Sequence, residues 1–334
     1  MIVVDADVLG RNRTGEETYV LNLLRQLPVV APDLEVAAIT RRPDLVPAGV
    51  QPIELPARSQ ELRMAWTLPR LLRRLKPAVA HFQHALPLGF GGPSVLTLHD
   101  LHFERDPRVM GLVDRITFKT VVPRSARRAD RVLAVSERTK QDAIELYGLP
   151  TDKVVVTPHG VDPAFGPVGP ARDGGYLLFV GAIQARKDPR AALEAALAVG
   201  RPLVVVGPEK DPALAAELRA GGADVRGWVA QDELAALYRG AAALVLPSRF
   251  EGFGIPVLEA MASGTPVVLS DDAALREVAG PAGLYASGGD FAGPLRLALA
   301  DRTHYARAGL ERAKLFSWEE TARLTAAAYR AVLA

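Results

Sequence analysis

ALVLPSRFEGFGIPVLEAMASGTPVV, residues 243–268, decides the fold. An apolar run ends near Pro247, a turn containing two glycines and a glutamate follows (Glu251–Gly254), and a helix begins with Pro256 near its first turn, where proline's fixed φ and missing N–H are tolerated. Strands that are apolar at every position are covered on both faces, the condition of a parallel sheet with helices on either side. The same kind of run recurs at Val95–Leu98, Val132–Val135, Leu177–Val180 and Leu203–Val206, with amphipathic stretches between them. In the first of these stretches Tyr19, Leu23, Leu24 and Leu27 form one stripe, and Thr14 with Glu17 could make a capping box at its start. Alternating strand and helix signals of this kind predict an α/β chain of doubly wound, Rossmann-like parallel sheets.

At 334 residues the chain has room for two such domains. The boundary is expected in FGPVGPARDGG, residues 165–175, where apolar periodicity stops and YLLFVG restarts it. The division expected is therefore 1–165, 166–316, and a C-terminal helix over 317–334 that could pack back on the N-terminal domain, with Trp318, Thr321, Leu324 and Ala328 on one side. Hydrophobic residues at 49% and charged residues at 23% describe an ordinary globular chain rather than a disordered one. The absence of cysteine excludes disulfides and thiolate metal sites. A net charge of +2 does not indicate nucleic-acid binding. MIVVDADVLG reads as a first strand rather than a signal peptide, and no run is long enough to span a bilayer, so a cytoplasmic protein is expected.

Ligands of open parallel sheets bind beyond the carboxyl ends of the strands, and two such sheets facing across a cleft would share one site. Four stretches at strand ends carry suitable chemistry. In the first, Gly252 and Gly254 let backbone amides approach a ligand, the helix start offers N–H groups to phosphate or hydroxyls, and Glu251 and Glu259 stand with seven residues between them. Alone, this is equally a strand–turn–helix with two surface glutamates. In the second, LLFVGAIQARKD (177–188), Arg186 and Lys187 could hold a diphosphate, or be an exposed basic pair. In the third, TLHDLHF (97–103), His99 and Asp100 follow a strand, a pair that is as readily structural as catalytic; His102 has no evident role. The fourth, GRNRTGEE (10–17), is not a dinucleotide fingerprint.

The stretch EGFGIPVLEAMASGTPVV resembles the Glu-x7-Glu signature of the retaining GT-B glycosyltransferases of family four. The resemblance implies that Glu251 contacts hydroxyls of the transferred sugar and Glu259 the nucleotide ribose, so neither is half of a glycosidase pair. It implies a Gly-x4-Arg-Lys phosphate clamp at Gly181, Arg186 and Lys187, with Ala182, Ala185 and Asp188 departing from the common Arg, Pro and Asn. It implies His99 beside the reacting sugar, bonding a hydroxyl or positioning charge, with Asp100 behind it, and Gly15 in the loop before the first helix. Phe253 and Gly254 would offer their backbone to the sugar. Ser136 should cap a helix, and His159 replaces the asparagine of Pro-Asn-Gly-Val-Asp.

The expected reaction is transfer of a hexose from a nucleotide diphosphate sugar, of GDP-mannose or UDP-glucose type, to a glycan, lipid or small-molecule acceptor, without metal or other cofactor. The alternatives are a catalytically silent nucleotide-sugar binder and a sugar-nucleotide epimerase of the same architecture. Residues 58–77, with six basic residues against one acidic and Met64, Trp66, Leu68 and Leu71 among them, read either as a solvated helix or as a basic amphipathic segment making peripheral membrane contact.

Overall fold

In a computed structural model, residues 1–334 are described except 12–13, 58, 106–111 and 173; side chains of 14 and 112–117 are likewise outside the description. The expected Thr14 capping box and the Arg58 end of the basic segment therefore lie outside the described residues.

Two compact units emerge, Met1–Gly160 with Ser317–Ala334, and Val161–Phe316. The first is built on a seven-stranded sheet: β1 (Ile2–Asp5), β2 (Val36–Thr40), β3 (Gln51–Glu54), β4 (Val79–Gln83), β5 (Ser94–Leu98), β6 (Arg131–Ala134) and β7 (Val154–Val156), in the order β3-β2-β1-β4-β5-β6-β7. The second has six strands: β8 (Leu177–Val180), β9 (Leu203–Val206), β10 (Asp224–Val225), β11 (Ala243–Leu246), β12 (Val267–Ser270) and β13 (Gly283–Ala286), ordered β10-β9-β8-β11-β12-β13. Every pairing of these strands is parallel. This is the doubly wound α/β arrangement expected from the apolar runs. Each sheet reverses its winding once, between β1 and β4 in the first unit and between β8 and β11 in the second, and the crevice beyond such a reversal is where ligands of this architecture sit.

Both faces of the first sheet are buried, and β1 shows why its sequence is apolar throughout. Ile2 and Val4 join one core with Tyr19, Leu23, Leu24 and Leu27 of the first helix (Thr14–Val30), while Val3 joins the opposite core with Leu68, Leu72 and Phe82. Successive side chains of a strand point to opposite faces, so a strand with helices on both sides has no polar position to spare.

The first unit ends at Gly160, before the Gly/Pro-rich stretch, because Phe165 already packs edge-on against Tyr238 of the second unit. The chain re-enters the first unit at Ser317, whose hydroxyl accepts the Glu320 amide at 3.1 Å and starts the last helix (Trp318–Leu333). That helix lays Trp318, Ala322, Ala326 and Tyr329 into the core formed with the first helix. Ser136 caps the Glu137–Tyr147 helix as expected, accepting from the Thr139 amide at 3.0 Å.

Residues 60–75 are continuously helical, but the run is not a regular α-helix: Arg63–Thr67 opens into a π-helical stretch between Gln60–Leu62 and Leu68–Leu75. The wider turn rotates Arg63 inward, where it is wholly buried, while Trp66 stays 56% exposed under the Arg70 guanidinium. No helix among the described residues is long and apolar enough to cross a membrane.

The outgoing and returning segments touch at Gly160: a Cβ there would lie 2.0 Å from the Trp318 amide nitrogen. Backbone cannot yield as a side chain tip does, so Gly160→Ala should cost at least ~1–3 kcal/mol. A lowered midpoint in thermal unfolding, with near-UV dichroism of Trp318 altered, is the expected result.

Candidate active site

The second unit places its candidates on the two strands that flank the winding reversal. β8 ends at Val180, and Gly181 opens the turn that leads to Ala185–Lys187. β11 ends at Leu246, and its turn carries Glu251. Because β8 and β11 are hydrogen-bonded neighbours, residues far apart in sequence emerge side by side. Lys187 Nζ donates to Glu251 Oε1 at 2.5 Å, Arg186 Nη1 lies 3.9 Å from Glu251 Oε2, and the same Nη1 donates to the Phe250 carbonyl at 2.5 Å. The Arg249 amide donates to the Arg186 carbonyl at 2.9 Å and ties the two turns together.

Glu251 is 6% exposed. Burial alone would raise its carboxyl, but Lys187 and Arg186 outweigh that and hold it below the usual glutamate range. It is a fixed carboxylate, an acceptor for hydroxyls rather than a proton donor. Asp188, in place of the more common asparagine, stands at the start of the Pro189–Ala198 helix with φ +48°. Asp and Asn are the non-glycine residues that tolerate this left-handed region best, so the departure leaves the backbone intact. Its carboxylate takes the Arg249 guanidinium at 3.1 Å.

Gly254, at φ +106°, turns the chain into the Ile255–Ala262 helix, and a Cβ there would press on Leu275 Cδ2 at 2.7 Å. Gly252 and Gly254 are buried, and the Phe253 ring packs edge-on against Phe316, so Phe253 has only its backbone to offer a ligand. Glu259 lies on the same helix and is buried, but its surroundings are unlike those of Glu251. Desolvation pushes its carboxyl up to about 8, opposed by the Tyr238 hydroxyl, which donates to Oε2 at 2.9 Å, and aided by Asp162. At neutral pH one glutamate of the pair is charged and the other protonated. On the far side of β8, the Gly207 amide donates to the Gly227 carbonyl at 2.7 Å, and a Cβ on Gly207 would lie 2.1 Å from the Gly181 carbonyl oxygen. Glycine is required there for the ends of β8, β9 and β10 to lie this close.

In the first unit His99 follows β5, and its Nε2 lies 2.9 Å from Gln83 Oε1 at the end of β4. Tyr19 meets the ring edge-on, with centroids 4.9 Å apart, and His159 stacks on it at 6.0 Å and 21°. Desolvation, with His84 assisting, lowers its pKa to about 4, so His99 is a neutral hydrogen-bonding group and does not position positive charge. Asp100 does not bond to it: its Oδ1 takes His102 Nδ1 at 2.6 Å. Gly15 is exposed inside the first turn of the first helix, which begins at Thr14, rather than in a loop before it. The N–H groups it could offer are those of a helix start.

A third cluster gave no sign in the sequence. Asp5 at the end of β1 and Asp7 just after it are buried, and Arg63 reaches both, at 2.5 and 3.0 Å to Asp5 and 3.6 Å to Asp7. Arg41 forks onto Asp7 at 2.7 and 2.8 Å, and Arg11 joins at 3.1 Å. The Gly10 amide donates to Glu17 Oε1 at 2.7 Å. These contacts brace the turn between β1 and the first helix. Among the described residues no group of three or more His, Asp or Glu has metal-binding geometry.

Two family models match the chain: Glycosyltransferase Family 4 over residues 13–165 and Glycosyl transferases group 1 over 174–301. It is 31% identical to the O-antigen chain mannosyltransferase B of Escherichia coli over 267 residues, covering 71% of this chain and 70% of that one. The chain belongs to the family 4 glycosyltransferases. Another relative, the D-inositol 3-phosphate glycosyltransferase of Frankia alni, is 36% identical over 242 residues, 61% of this chain; the chain spans only 59% of that relative's length. Among solved structures, sucrose-phosphate synthase from Thermosynechococcus elongatus superposes with a TM-score of 0.77 at 21% identity, covering 99% of this chain and 98% of that one. The Anabaena protein HepE in complex with UDP-glucose gives 0.76 at 15% identity, covering 99% of each. The fold is thus the GT-B fold, and this family 4 member is a transferase.

Two measurements probe the electrostatics. Arg63→Met leaves Asp5 buried without its cation, while Asp7 keeps Arg41 and Arg11, and should cost ~3–5 kcal/mol in urea unfolding. For Glu259 the folded carboxyl titrates near 8 against an ordinary 4.5, so between those values the folded protein holds a proton that the unfolded chain has released. Its contribution to stability is complete below 4.5 and declines as pH climbs towards 8. Glu259→Gln cannot ionise, so its melting temperature should rise relative to the wild type as pH goes from about 5 to about 9.

Proposed function

We propose that the second unit holds a nucleotide diphosphate sugar at the β8–β11 reversal, and that the enzyme transfers its hexose with retained anomeric configuration. The observation that supports this most is the Arg186–Lys187–Glu251 cluster, in which two cations and one fixed carboxylate meet beyond adjacent strand ends. Arg186 and Lys187 would take the diphosphate, with Gly181 allowing close approach. Glu251 and the backbone of Gly252, Phe253 and Gly254 would accept and donate to the sugar hydroxyls, and Glu259 would bond the ribose. In the first unit His99 and the helix start at Gly15 would be the groups that meet a sugar or acceptor hydroxyl, with Asp100 acting through the field it exerts on His99.

Breaking the sugar–phosphate bond leaves negative charge on the diphosphate as positive charge builds at the anomeric carbon. Preorganised cations and amide dipoles lower that barrier because they need not reorient as the charge forms. Lys187 and Arg186 are already oriented by Glu251 and by the Phe250 carbonyl, so they meet this condition. The mannosyltransferase relative supports a hexose as the group transferred, and the UDP-glucose complex of HepE supports a nucleotide diphosphate as its carrier. Trp228, 64% exposed after β10, offers a flat face to the base. The relatives' names support a glycan or a small polyol phosphate as acceptor. For a lipid acceptor, the exposed Leu62 and Trp66 beside Arg70 are the candidate membrane contact.

The test begins with donor alone. Slow release of nucleoside diphosphate supports transfer, an isomeric sugar nucleotide indicates an epimerase, and no change indicates a silent binder. Glu251→Ala and His99→Ala should abolish most turnover while leaving circular dichroism unchanged. The double variant Arg186→Ala/Lys187→Ala should chiefly weaken donor binding by calorimetry, by ~1.5–3 kcal/mol for each charge-assisted bond lost. Wild-type turnover in all of these variants would refute the assignment.

A further inference from the structure

His99 has two ring nitrogens, and only one is engaged. Nε2 faces Gln83 Oε1 at 2.9 Å; Nδ1 has no hydrogen-bond partner among the described residues, and the side chain is part-exposed. With the Gln83 amide oxygen turned to the ring, the proton of this contact belongs to His99 Nε2, because a carbonyl oxygen cannot donate. A neutral imidazole carries one N–H, which leaves Nδ1 with its lone pair. We propose that Gln83 is a positioning residue that locks His99 in the Nε2–H form and presents Nδ1 as a hydrogen-bond acceptor for a hydroxyl of the bound sugar or acceptor. The proposal rests on the reading of His99 as a site residue and deepens it by naming which atom acts and what holds it.

Three further observations support it. Rings pack around it: Tyr19 of the first helix meets it edge-on at 4.9 Å, His84 lies at 5.2 Å, and His159, from the segment after β7, lies parallel at 6.0 Å. Tyr19 is itself fixed: its hydroxyl lies 3.1 Å from Thr97 Oγ1, which is 2.7 Å from His81 Nε2, and His81 Nδ1 is 2.6 Å from the Tyr329 hydroxyl of the last helix. The ionisable groups facing His99 keep it neutral on balance: burial and His84 disfavour its charged form, more strongly than Glu16 and Asp100 favour it. His84 in turn contacts Glu16 at 3.1 Å. An acceptor nitrogen of low basicity suits a hydroxyl, whereas an imidazolium would have no lone pair to offer.

The experiment uses the full chain and nitrogen-15 side-chain spectra. Its six histidines are few enough that the His99 signals can be assigned by their loss in His99→Asn. In the wild type at neutral pH, Nε2 should show the protonated shift and Nδ1 the unprotonated one. Gln83→Ala should move both towards averaged values as the two forms mix. Gln83→Glu should keep the Nε2–H form and, by setting a carboxylate beside it, raise the His99 pKa by about 1–3 units, carrying the acid limb of turnover with it. A wild-type His99 protonated on Nδ1, or spectra unmoved by Gln83→Ala, would overturn the proposal. If the spectra behave as expected while His99→Asn turns over like the wild type, the positioning by Gln83 stands and the catalytic reading of His99 falls.

Discussion

A buried carboxylate compensated by two cations is the constraint around which the second unit is arranged. Glu251 stays ionised inside the protein only because Lys187 and Arg186 stand beside it, and they can do so only because β8 and β11 are neighbours in the sheet. Removing either partner from such a buried set leaves an uncompensated charge, which costs more than the pair itself contributes. The winding order, the glycines that let strand ends approach and the lysine's position at the end of a short 3-10 turn all serve this juxtaposition.

The first unit handles polarity differently. Its buried histidines are neutral and connected by hydrogen bonds, with burial pushing His81 down to about 3 and His99 to about 4. Charge gathers in the Asp5–Asp7–Arg63–Arg41 cluster at the end of β1, where each carboxylate meets a guanidinium fork, and at the buried Asp142, held by Arg105 and Arg138.

Much of this was legible in sequence, and the reason is local. β8, at one side of the second sheet's reversal, and its neighbour β9 are apolar at every position because both faces are covered, so Leu177–Val180 and Leu203–Val206 could be read to the residue. Arg186, Lys187 and Glu251 could be singled out because each comes in the turn directly after a strand, and the structure brings the three together. Partnerships across the fold left no such trace. Gln83 sits one residue from His84, and only the folded structure shows that Gln83 meets His99 Nε2 while the His84 ring lies 5.2 Å from the His99 ring. Nothing in the spacing of Tyr238 and Glu259 announces their hydrogen bond. Arg63 belonged to a run of surface-like arginines until a π-helical stretch turned it inward. Gly15 was placed one element too early because a helix start and the loop before it share the same residue preferences.

The return of residues 317–334 to the first unit has a bearing on how the chain is made. The first sheet is synthesised early, but the helix that covers one of its faces, and the Tyr329 hydroxyl that reaches His81 at its centre, come last. Until then the half of the molecule translated first must wait with apolar surface uncovered, while Val161–Phe316, continuous in sequence, can finish folding ahead of it. Order of translation and order of completion are reversed. The early unit is therefore the one more exposed to chaperones and to premature association on the ribosome.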